Sequence, residues 1–200
     1  MKKTLAIVGA GGHGKQCAEI ARLTGDWKEI VFFDDKSKFE KVIDNTKNIS
    51  KYVKEYDFFI GIGDNKIRAK LFEKLKNYSA NIVTLVHPSA ILSDKTTIKE
   101  GTIIMPGAII NNEVAIGIAC IINTGVIVEH NSKVGDFVHI APGSSIAGNV
   151  TIGNENFLGI GTVVINNIDI CEGNIIGASS LVLQNIEKKG IYYGQPIKEI

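Results

Sequence analysis

The second half of the chain contains the run IINTGVIVEHNSKVGDFVHIAPGSSIAGNVTI, from residue 121 to residue 152. Within this run an aliphatic residue stands at every sixth position: Ile122, Val128, Val134, Ile140, Ile146 and Ile152. A period of six fits neither an α-helix, whose period is about 3.6, nor a simple strand, whose period is about 2. It is typical of a parallel β-helix, in which each hexad supplies one face of a coil and its aliphatic residue points inward.

The same period extends in both directions from this run, to seventeen positions in one register. Ordinary β sequence that is merely rich in Ile and Val would not keep its register over so many repeats, so we predict a β-helix with a dry aliphatic core. The seventeen positions are Val86, Leu92, Ile98, Ile104, Ile110, Ile116, Ile122, Val128, Val134, Ile140, Ile146, Ile152, Leu158, Val164, Ile170, Ile176 and Val182.

The first 81 residues follow a different pattern, in which short apolar runs alternate with helical periodicity. Residues 4–8 are predicted to form a strand, residues 9–14 a glycine-rich turn and residues 15–23 a helix. Two more strands, at residues 30–33 and 58–62, and a helix at residues 66–76 complete an α/β pattern typical of a small parallel sheet. We therefore predict three parts: a Rossmann-like domain at residues 1–81, the β-helix at residues 82–182 and a C-terminal tail at residues 183–200.

Composition places the chain among ordinary globular proteins, with 44% apolar and 22% charged residues. The 22 Lys and Arg residues against 21 Asp and Glu residues leave a net charge of +1, too small to attract nucleic acid or an anionic membrane surface. No apolar run reaches about 18 residues, so no membrane insertion is expected. The three cysteines are odd in number and dispersed, which together with the lack of a signal-peptide pattern predicts a cytoplasmic protein.

Motifs spread over essentially the whole chain resemble those of the bacterial sugar O/N-acyltransferase family. That family includes sialic acid O-acetyltransferases and N-acetyltransferases of nucleotide-linked 4-amino-4,6-dideoxy sugars. The resemblance implies a left-handed β-helix, a homotrimer and an acetyl-CoA site between neighbouring prisms. The motifs are Gly9-Ala10-Gly11-Gly12-His13-Gly14, Phe33-Asp34-Asp35, His87-Pro88-Ser89-Ala90, Glu129-His130-Asn131, His139-Ile140-Ala141-Pro142-Gly143 and Gly194-Gln195-Pro196-Ile197-Lys198.

The glycine loop follows a predicted strand and opens a predicted helix, which is the context of a phosphate-binding turn. Glycines let the backbone approach a pyrophosphate, and N–H groups at the helix start carry partial positive charge. The alternative is a tight turn used only for packing. About 80 residues are too few for a full dinucleotide fold, so a nucleotide sugar is preferred over NAD. The candidate substrate-binding residues are Gly9, Gly11, Gly12, His13, Gly14, Asp34, Asp35, Gly63 and Asn65, whereas Arg68 is equally well explained as a solvated helix residue.

The number of residues in one coil predicts which residues of the second half stack on each other. With three hexads per coil, residues 18 apart are stacked, so Gly148 lies above His130, and Pro142, Ile160 and Ala178 form one column. His130 and His139 are nine residues apart, on opposite sides of one coil, and would share a site only across a subunit interface. The resemblance implies that the column is the pantetheine track and that the loop containing Pro196 closes over acetyl-CoA. Candidate cofactor-binding residues are thus His139, Gly148, Ile160, Ala178 and Pro196.

His130 is the candidate general base, because an imidazole titrates near neutrality and the acceptor must lose a proton as it attacks. His139 or the Gly148 N–H would stabilise the oxyanion. The family often has an acid directly after the base, where this chain has Asn131, whose amide oxygen can still accept from Nδ1–H. Either the base is weaker as a result, or the role of the acid passes to Glu129 or to another residue. The alternative is that His130 and His139 are exposed surface histidines without a catalytic role.

A zinc site is the rival use of histidines on a β-helix, but it needs three of them at one interface. Only His130 and His139 lie in the right region, and His87 is more than two coils away, so we predict no metal.

The preferred function is therefore direct acetyl transfer from acetyl-CoA to a nucleotide-linked 4-amino-4,6-dideoxy sugar. One alternative is O-acetylation of sialic acid or a related sugar. Another is a non-catalytic protein that binds sugar nucleotides and keeps the trimer for its shape. The glycine loop with Asp34 and Asp35 favours a nucleotide-linked acceptor, and His130 beside Asn131 favours catalysis.

Overall fold

The computed structural model describes residues 2–199. The chain forms two compact units, one ending at Pro88 and the other beginning at Ser89.

The first unit is a five-stranded parallel sheet in the order β3-β2-β1-β4-β5. Apolar side chains fill it because strands flanked by helices bury both faces, and β1 is buried at every position. The predicted alternation of strands and helices is confirmed. In chain order the elements are β1 Thr4–Val8, α1 Gly12–Thr24, β2 Glu29–Phe33, β3 Val42–Asp44, a 3₁₀ helix at Thr46–Lys51, β4 Tyr56–Ile60, α2 Asn65–Asn77 and β5 Asn81–Ile82, followed by the short strand Leu85–Val86.

Helix α1 begins at Gly12, whereas the sequence predicted a turn through residue 14 and a helix from residue 15. The prediction was wrong because glycine was taken as a sign of a turn. Gly11 is the N-cap residue with extended backbone, and Gly14 is helical for a packing reason. A Cβ atom on Gly14 would stand 1.9 Å from the carbonyl oxygen of Gly9, so only glycine lets the helix approach the end of β1.

The second unit is a parallel β-helix. Each strand pairs with the strand three further along the chain, so that Ile109 faces Ile127 and Ile110 faces Val128, 18 residues on. The strands stack into three sheets, and the last sheet ends in the antiparallel pair Ile191–Gly194 and Ile197–Glu199. The two-residue strands are Ile91–Leu92, Thr97–Ile98, Ile103–Ile104, Ile109–Ile110, Ala115–Ile116, Ile121–Ile122, Ile127–Val128, Lys133–Val134, His139–Ile140, Ser145–Ile146, Thr151–Ile152, Phe157–Leu158, Val163–Val164, Asp169–Ile170, Ile175–Ile176 and Leu181–Val182.

The core of the β-helix is the aliphatic row that the period of six predicts. Every predicted inward position from Ile104 to Val182 is buried, and Leu92 and Ile98 are half-buried. The small buried residues complete the coil corners with hydrogen bonds. Ser132, for example, donates to the Ala147 carbonyl and accepts from the Val150 N–H. The buried hydroxyl of Ser132 thus has its partners, whereas the buried Ser180 Oγ has no hydrogen-bond partner among residues 2–199.

Candidate active site

The carboxyl ends of β1, β2 and β4 lie side by side, and the loops that leave them form one edge of the first unit. In open parallel α/β sheets, ligands bind at the carboxyl ends of the strands, at the point where the strand order reverses. The Ala10 N–H after β1 donates to Asp34 Oδ2 after β2 at 2.8 Å, which joins two of the loops. The structure therefore brings the glycine loop and Asp34, both predicted parts of the substrate site, together at one edge.

Both aspartates after β2 are engaged with the chain itself. Asp34 Oδ1 accepts from the N–H groups of Lys36 and Ser37, and Asp35 accepts from the N–H and the hydroxyl of Thr46. Burial alone would raise the pKa of Asp34, but the three N–H donors outweigh it and hold this pKa below its usual range. Asp34 thus fixes the loop as an ionised acceptor.

The glycines of this edge divide into packed and open positions. Gly9 has a φ of +107°, which residues with a side chain rarely adopt, and a Cβ there would stand 3.0 Å from the Gly61 carbonyl oxygen, so conformation and packing both favour glycine. A Cβ on Gly11, Gly12 or Gly63 would meet no atom within 4 Å. These three glycines leave open space where a ligand's phosphate could approach the backbone, and the start of α1 favours an anion there.

A buried arginine organises the loop after β4. Arg68 is only 1% exposed, although the sequence left open that it is a solvated helix residue. Its guanidinium donates to the carbonyls of Ile62 and Gly63 and to Asn65 Oδ1. Asn65 and Gly63, two of the predicted binding residues, are therefore held in place by Arg68.

His13 lies in the first turn of α1 with its Nε2 atom buried, and no residue between 2 and 199 gives this atom a hydrogen-bond partner. Burial, helped by the positive charge of Arg68, lowers the pKa of His13 from 6.5 to about 4. The imidazole is neutral at physiological pH. A buried polar atom that faces no partner costs free energy, so Nε2 is a natural contact for a ligand at this edge.

The buried imidazole predicts a pH-dependent stability of the first unit. Between pH 6.5 and about 4, His13 binds a proton in the unfolded chain but remains neutral in the folded chain. The free energy of unfolding should therefore fall by at most about 3 kcal/mol as the pH drops through this window. Urea unfolding followed by the fluorescence of Trp27, the single tryptophan, measures this fall. His13→Gln should flatten the dependence, and an equal slope in the variant would contradict the assignment.

In the second unit, His130 and Asn131 stand at a corner of the prism, separated by Glu129 from the end of the strand Ile127–Val128. The imidazole is exposed, and its Nδ1 atom lies 2.8 Å from Asn131 Oδ1. Gly148 packs one coil further on, where an added Cβ would stand 2.7 Å from His130 Nε2. The absence of a side chain at Gly148 makes room for the ring, so these three predicted residues lie together.

Glu113 also contacts this corner, although it was not among the site residues predicted from the sequence. Asn131 Nδ2 donates to Glu113 Oε2 at 2.9 Å, and Lys95 Nζ donates to Glu113 Oε1 at 3.3 Å. The signal was available, because residues 95, 113 and 131 are 18 apart and stack in successive coils. Glu129, the acid suggested from the sequence, precedes His130 in the chain.

The other predicted cofactor residues lie at a different corner. His139 is in the strand His139–Ile140, where its Nε2 atom is 3.2 Å from Asn123 Nδ2 and its ring meets Phe157 edge-on at 5.1 Å. Beside it runs the predicted column: Gly161 N–H bonds to the Pro142 carbonyl and Ser179 N–H to the Ile160 carbonyl.

The tail reaches the same column. Gln195, which precedes Pro196, donates from Nε2 to the Ser179 carbonyl at 2.6 Å, and Ser179 follows Ala178 in the chain. Ile160 is 61% exposed, an apolar side chain open to a ligand or to another subunit. Within one chain, His139 and the column thus share one prism corner, and His130 occupies another.

Between residues 2 and 199 no three His, Cys, Asp or Glu side chains cluster closely enough to hold a metal ion. In the same part of the chain no helix has both the length and the hydropathy to span a bilayer.

Residues 4–75 match the family model of the PglD N-terminal domain. The UDP-N-acetylbacillosamine N-acetyltransferase of Bacillus subtilis (strain 168) is 36% identical over 112 residues, 50% of this chain and 50% of that protein. The chain spans about half the length of the curated relatives that it matches.

Among the solved structures that match over the whole chain, two contain bound ligands that bear on the site. The acetyltransferase domain of PglB from Neisseria gonorrhoeae FA1090, in complex with acetyl coenzyme A, has a TM-score of 0.95 at 30% identity and covers 100% of both chains. PerB from Caulobacter crescentus, in complex with CoA and GDP-perosamine, has a TM-score of 0.94 at 31% identity and covers 100% of this chain and 98% of its own. The predicted small parallel sheet followed by a left-handed β-helix is confirmed. With such full-length likeness, the chain belongs to the PglD-like family of bacterial sugar O/N-acyltransferases.

Proposed function

We propose that the protein is an acetyl-CoA-dependent N-acetyltransferase of a nucleotide-linked 4-amino-4,6-dideoxy sugar. The observation that carries this proposal is the exposed His130 ring, held at Nδ1 by Asn131 and given room by Gly148. It stands in a chain whose solved relatives were captured with acetyl coenzyme A and with CoA and GDP-perosamine.

The hydrogen bond to Asn131 decides which nitrogen of His130 acts. If Asn131 Oδ1 accepts from Nδ1–H, the lone pair lies on Nε2, the atom that faces away from Asn131. Nε2 then takes the proton of the acceptor amine while the amine nitrogen forms a bond to the acetyl carbonyl carbon. The C–S bond breaks as the tetrahedral species collapses, and the thiolate of CoA leaves. His139 or the Gly148 N–H supplies a donor for the oxyanion.

The transfer is direct, without an acyl-enzyme, because the cysteines of the β-helix are not placed as nucleophiles. Cys120 is fully buried, and its thiol donates to the Gly135 carbonyl at 3.0 Å. Cys171 lies near the amide of Asn174, at 3.5 Å from its Nδ2 atom. Neither has a general base among its contacts in these hydrogen bonds, as an activated nucleophile requires.

His130 and His139 stand at different corners of one prism, so we propose that they form one site across the interface of a homotrimer. The acetyl-CoA pantetheine would lie along Pro142, Ile160 and Ala178 under the tail around Pro196. The open edge at Gly11, Gly12 and Gly63, with the Nε2 atom of His13, would bind the nucleotide diphosphate. We also propose that the protein works in the cytoplasm on a soluble nucleotide sugar.

Thiol release from acetyl-CoA, followed with UDP-, GDP- and dTDP-linked 4-amino sugars and with sialic acid, tests this proposal. We expect turnover with a nucleotide-linked amine and none with sialic acid. Gly11→Val should raise the KM for the acceptor at least about tenfold and leave the KM for acetyl-CoA unchanged, because its side chain fills space beside the helix start. Turnover of sialic acid would favour O-acetylation, and a rate of thiol release that no acceptor increases would exclude both.

A further inference from the structure

One column of side chains runs along a corner of the prism, 18 residues apart: Lys95, Glu113, Asn131, Asn149 and Asn167. The last four have positive φ angles of 58° to 60°. The left-handed conformation suits asparagine, whereas a glutamate there is uncommon. Asn149 donates to Asn167 within the column at 2.8 Å, as an amide ladder would. Glu113 is the single acid of the column, and it lies one coil from the corner of His130.

Glu113 fixes the orientation of the Asn131 amide. An ionised carboxylate only accepts hydrogen bonds, so the group 2.9 Å from Glu113 Oε2 must be the Asn131 NH₂. The amide oxygen then faces His130 Nδ1 at 2.8 Å and must accept from it. Without the carboxylate the amide could turn, because an NH₂ group can donate to an unprotonated Nδ1 equally well.

We propose that Glu113 is a positioning residue that acts on His130 through Asn131. The inference rests on the proposed function of His130. Glu113 holds the Nδ1–H tautomer, which leaves the Nε2 lone pair for the acceptor proton. When His130 gains that proton, the Glu113 charge faces the imidazolium across the amide and stabilises it. Asn131 and Glu113 together thus replace the acid that the family often places directly after the base.

Among the charged side chains considered near His130, Glu113 is the one that the Asn131 amide links to the imidazole ring. Glu129 precedes the histidine in the chain, and its N–H pairs with the Ile146 carbonyl. Lys95 bonds to Glu113 and restrains Oε1, which keeps Oε2 turned toward Asn131. The following coil offers Gly148 and Asn149 at this corner, neither of them charged.

A purely structural role for Glu113 makes a different prediction. Exposed ion pairs and surface hydrogen bonds contribute little to stability, so removing the charge would leave the histidine unaffected. Glu155→Gln is the matched control, because Glu155 is an exposed glutamate at a prism corner with a φ of 56°. It removes the same charge from the same backbone conformation in another column.

The experiment combines kinetics with long-range ¹H–¹⁵N NMR of the full-length protein, the His130 signals being assigned by their absence from the His130→Ala spectrum. Wild-type His130 should show the Nδ1–H tautomer. Glu113→Gln should mix the tautomers, shift the titration midpoint of the ring to lower pH and lower kcat about tenfold with an unchanged KM for acetyl-CoA. Glu113→Asp should recover part of kcat, and Glu155→Gln should match the wild type in every measurement.

The proposal fails if Glu113→Gln keeps the wild-type tautomer and titration midpoint, or if Glu155→Gln changes them as much. The NMR readout requires no acceptor, so it remains decisive when no sugar is acetylated. A changed tautomer in a protein without acetyltransferase activity would keep the Glu113 relay and overturn the proposed function. Activity that depends on His130 with an unchanged tautomer in Glu113→Gln would do the reverse.

Discussion

Replacing His130 with alanine is expected to lower kcat at least about 100-fold, because the acceptor amine then loses its proton to water alone. The affinity for acetyl-CoA should stay within about twofold, since the ring acts on the proton. Because His130 is exposed, its replacement should leave the fold and its stability unchanged. Steady-state kinetics with both substrates varied measures the effect, and calorimetry with CoA checks binding separately. A variant with a kcat near that of the wild type would reduce His130 to a surface histidine.

Mixed trimers test the proposal that His130 and His139 share a site across a subunit interface. His139→Ala should also reduce turnover and weaken acetyl-CoA binding, since we place this residue near the thioester. When the two inactive variants are unfolded together and refolded, about a quarter of the interfaces in random trimers combine an intact His130 with an intact His139. Activity should therefore reappear on mixing. Two variants that remain inactive when mixed would place both histidines in the site of a single chain.

Replacing Ile140 with aspartate is expected to abolish folding of the β-helix. Ile140 is fully buried between Ile122 and Leu158 of the neighbouring coils, so the carboxylate would enter an aliphatic row without a partner. An uncompensated buried charge costs roughly 3 to 5 kcal/mol, against a total stability of about 5 to 15 kcal/mol for a typical domain. Circular dichroism and thermal melting measure the loss.

Thr151→Asp is the control for this substitution. Thr151 precedes the inward Ile152 in its strand and is exposed, so the same carboxylate remains in water. This variant should melt cooperatively within a few degrees of the wild type. An Ile140→Asp protein that is equally stable would mean that the inward register is wrong.

The repeat made the β-helix predictable because its period reports the geometry of a coil directly. Ile104 and Val182 lie at the two ends of a buried row that the count of six residues locates exactly once the register is known. The same count stacked Gly148 on His130, a contact that the structure shows. The regular spacing of the repeat therefore predicted both the buried row and the stacking of residues at the His130 corner.

Residues whose roles depend on side-chain direction were harder to predict. The sequence left Arg68 equally open as a residue of the ligand-binding edge or as a solvated helix residue, because its partners are carbonyls of a loop whose path the sequence does not specify. Gly14 looked like a turn residue, although close packing against Gly9 explains it. Glu113 stands 18 residues before Asn131, but only the hydrogen bond between them indicates that the pair acts together.

Acetyl-CoA labelled with ¹³C at the carbonyl follows the acetyl group itself from donor to acceptor. With wild-type protein and a nucleotide-linked 4-amino sugar, the label should appear in one amide whose proton couples to the sugar position that carried the amine. It should appear there at the rate of thiol release, and mass spectrometry should find no labelled protein. Label on a sugar hydroxyl, in free acetate or on a protein side chain would contradict direct transfer to the amine.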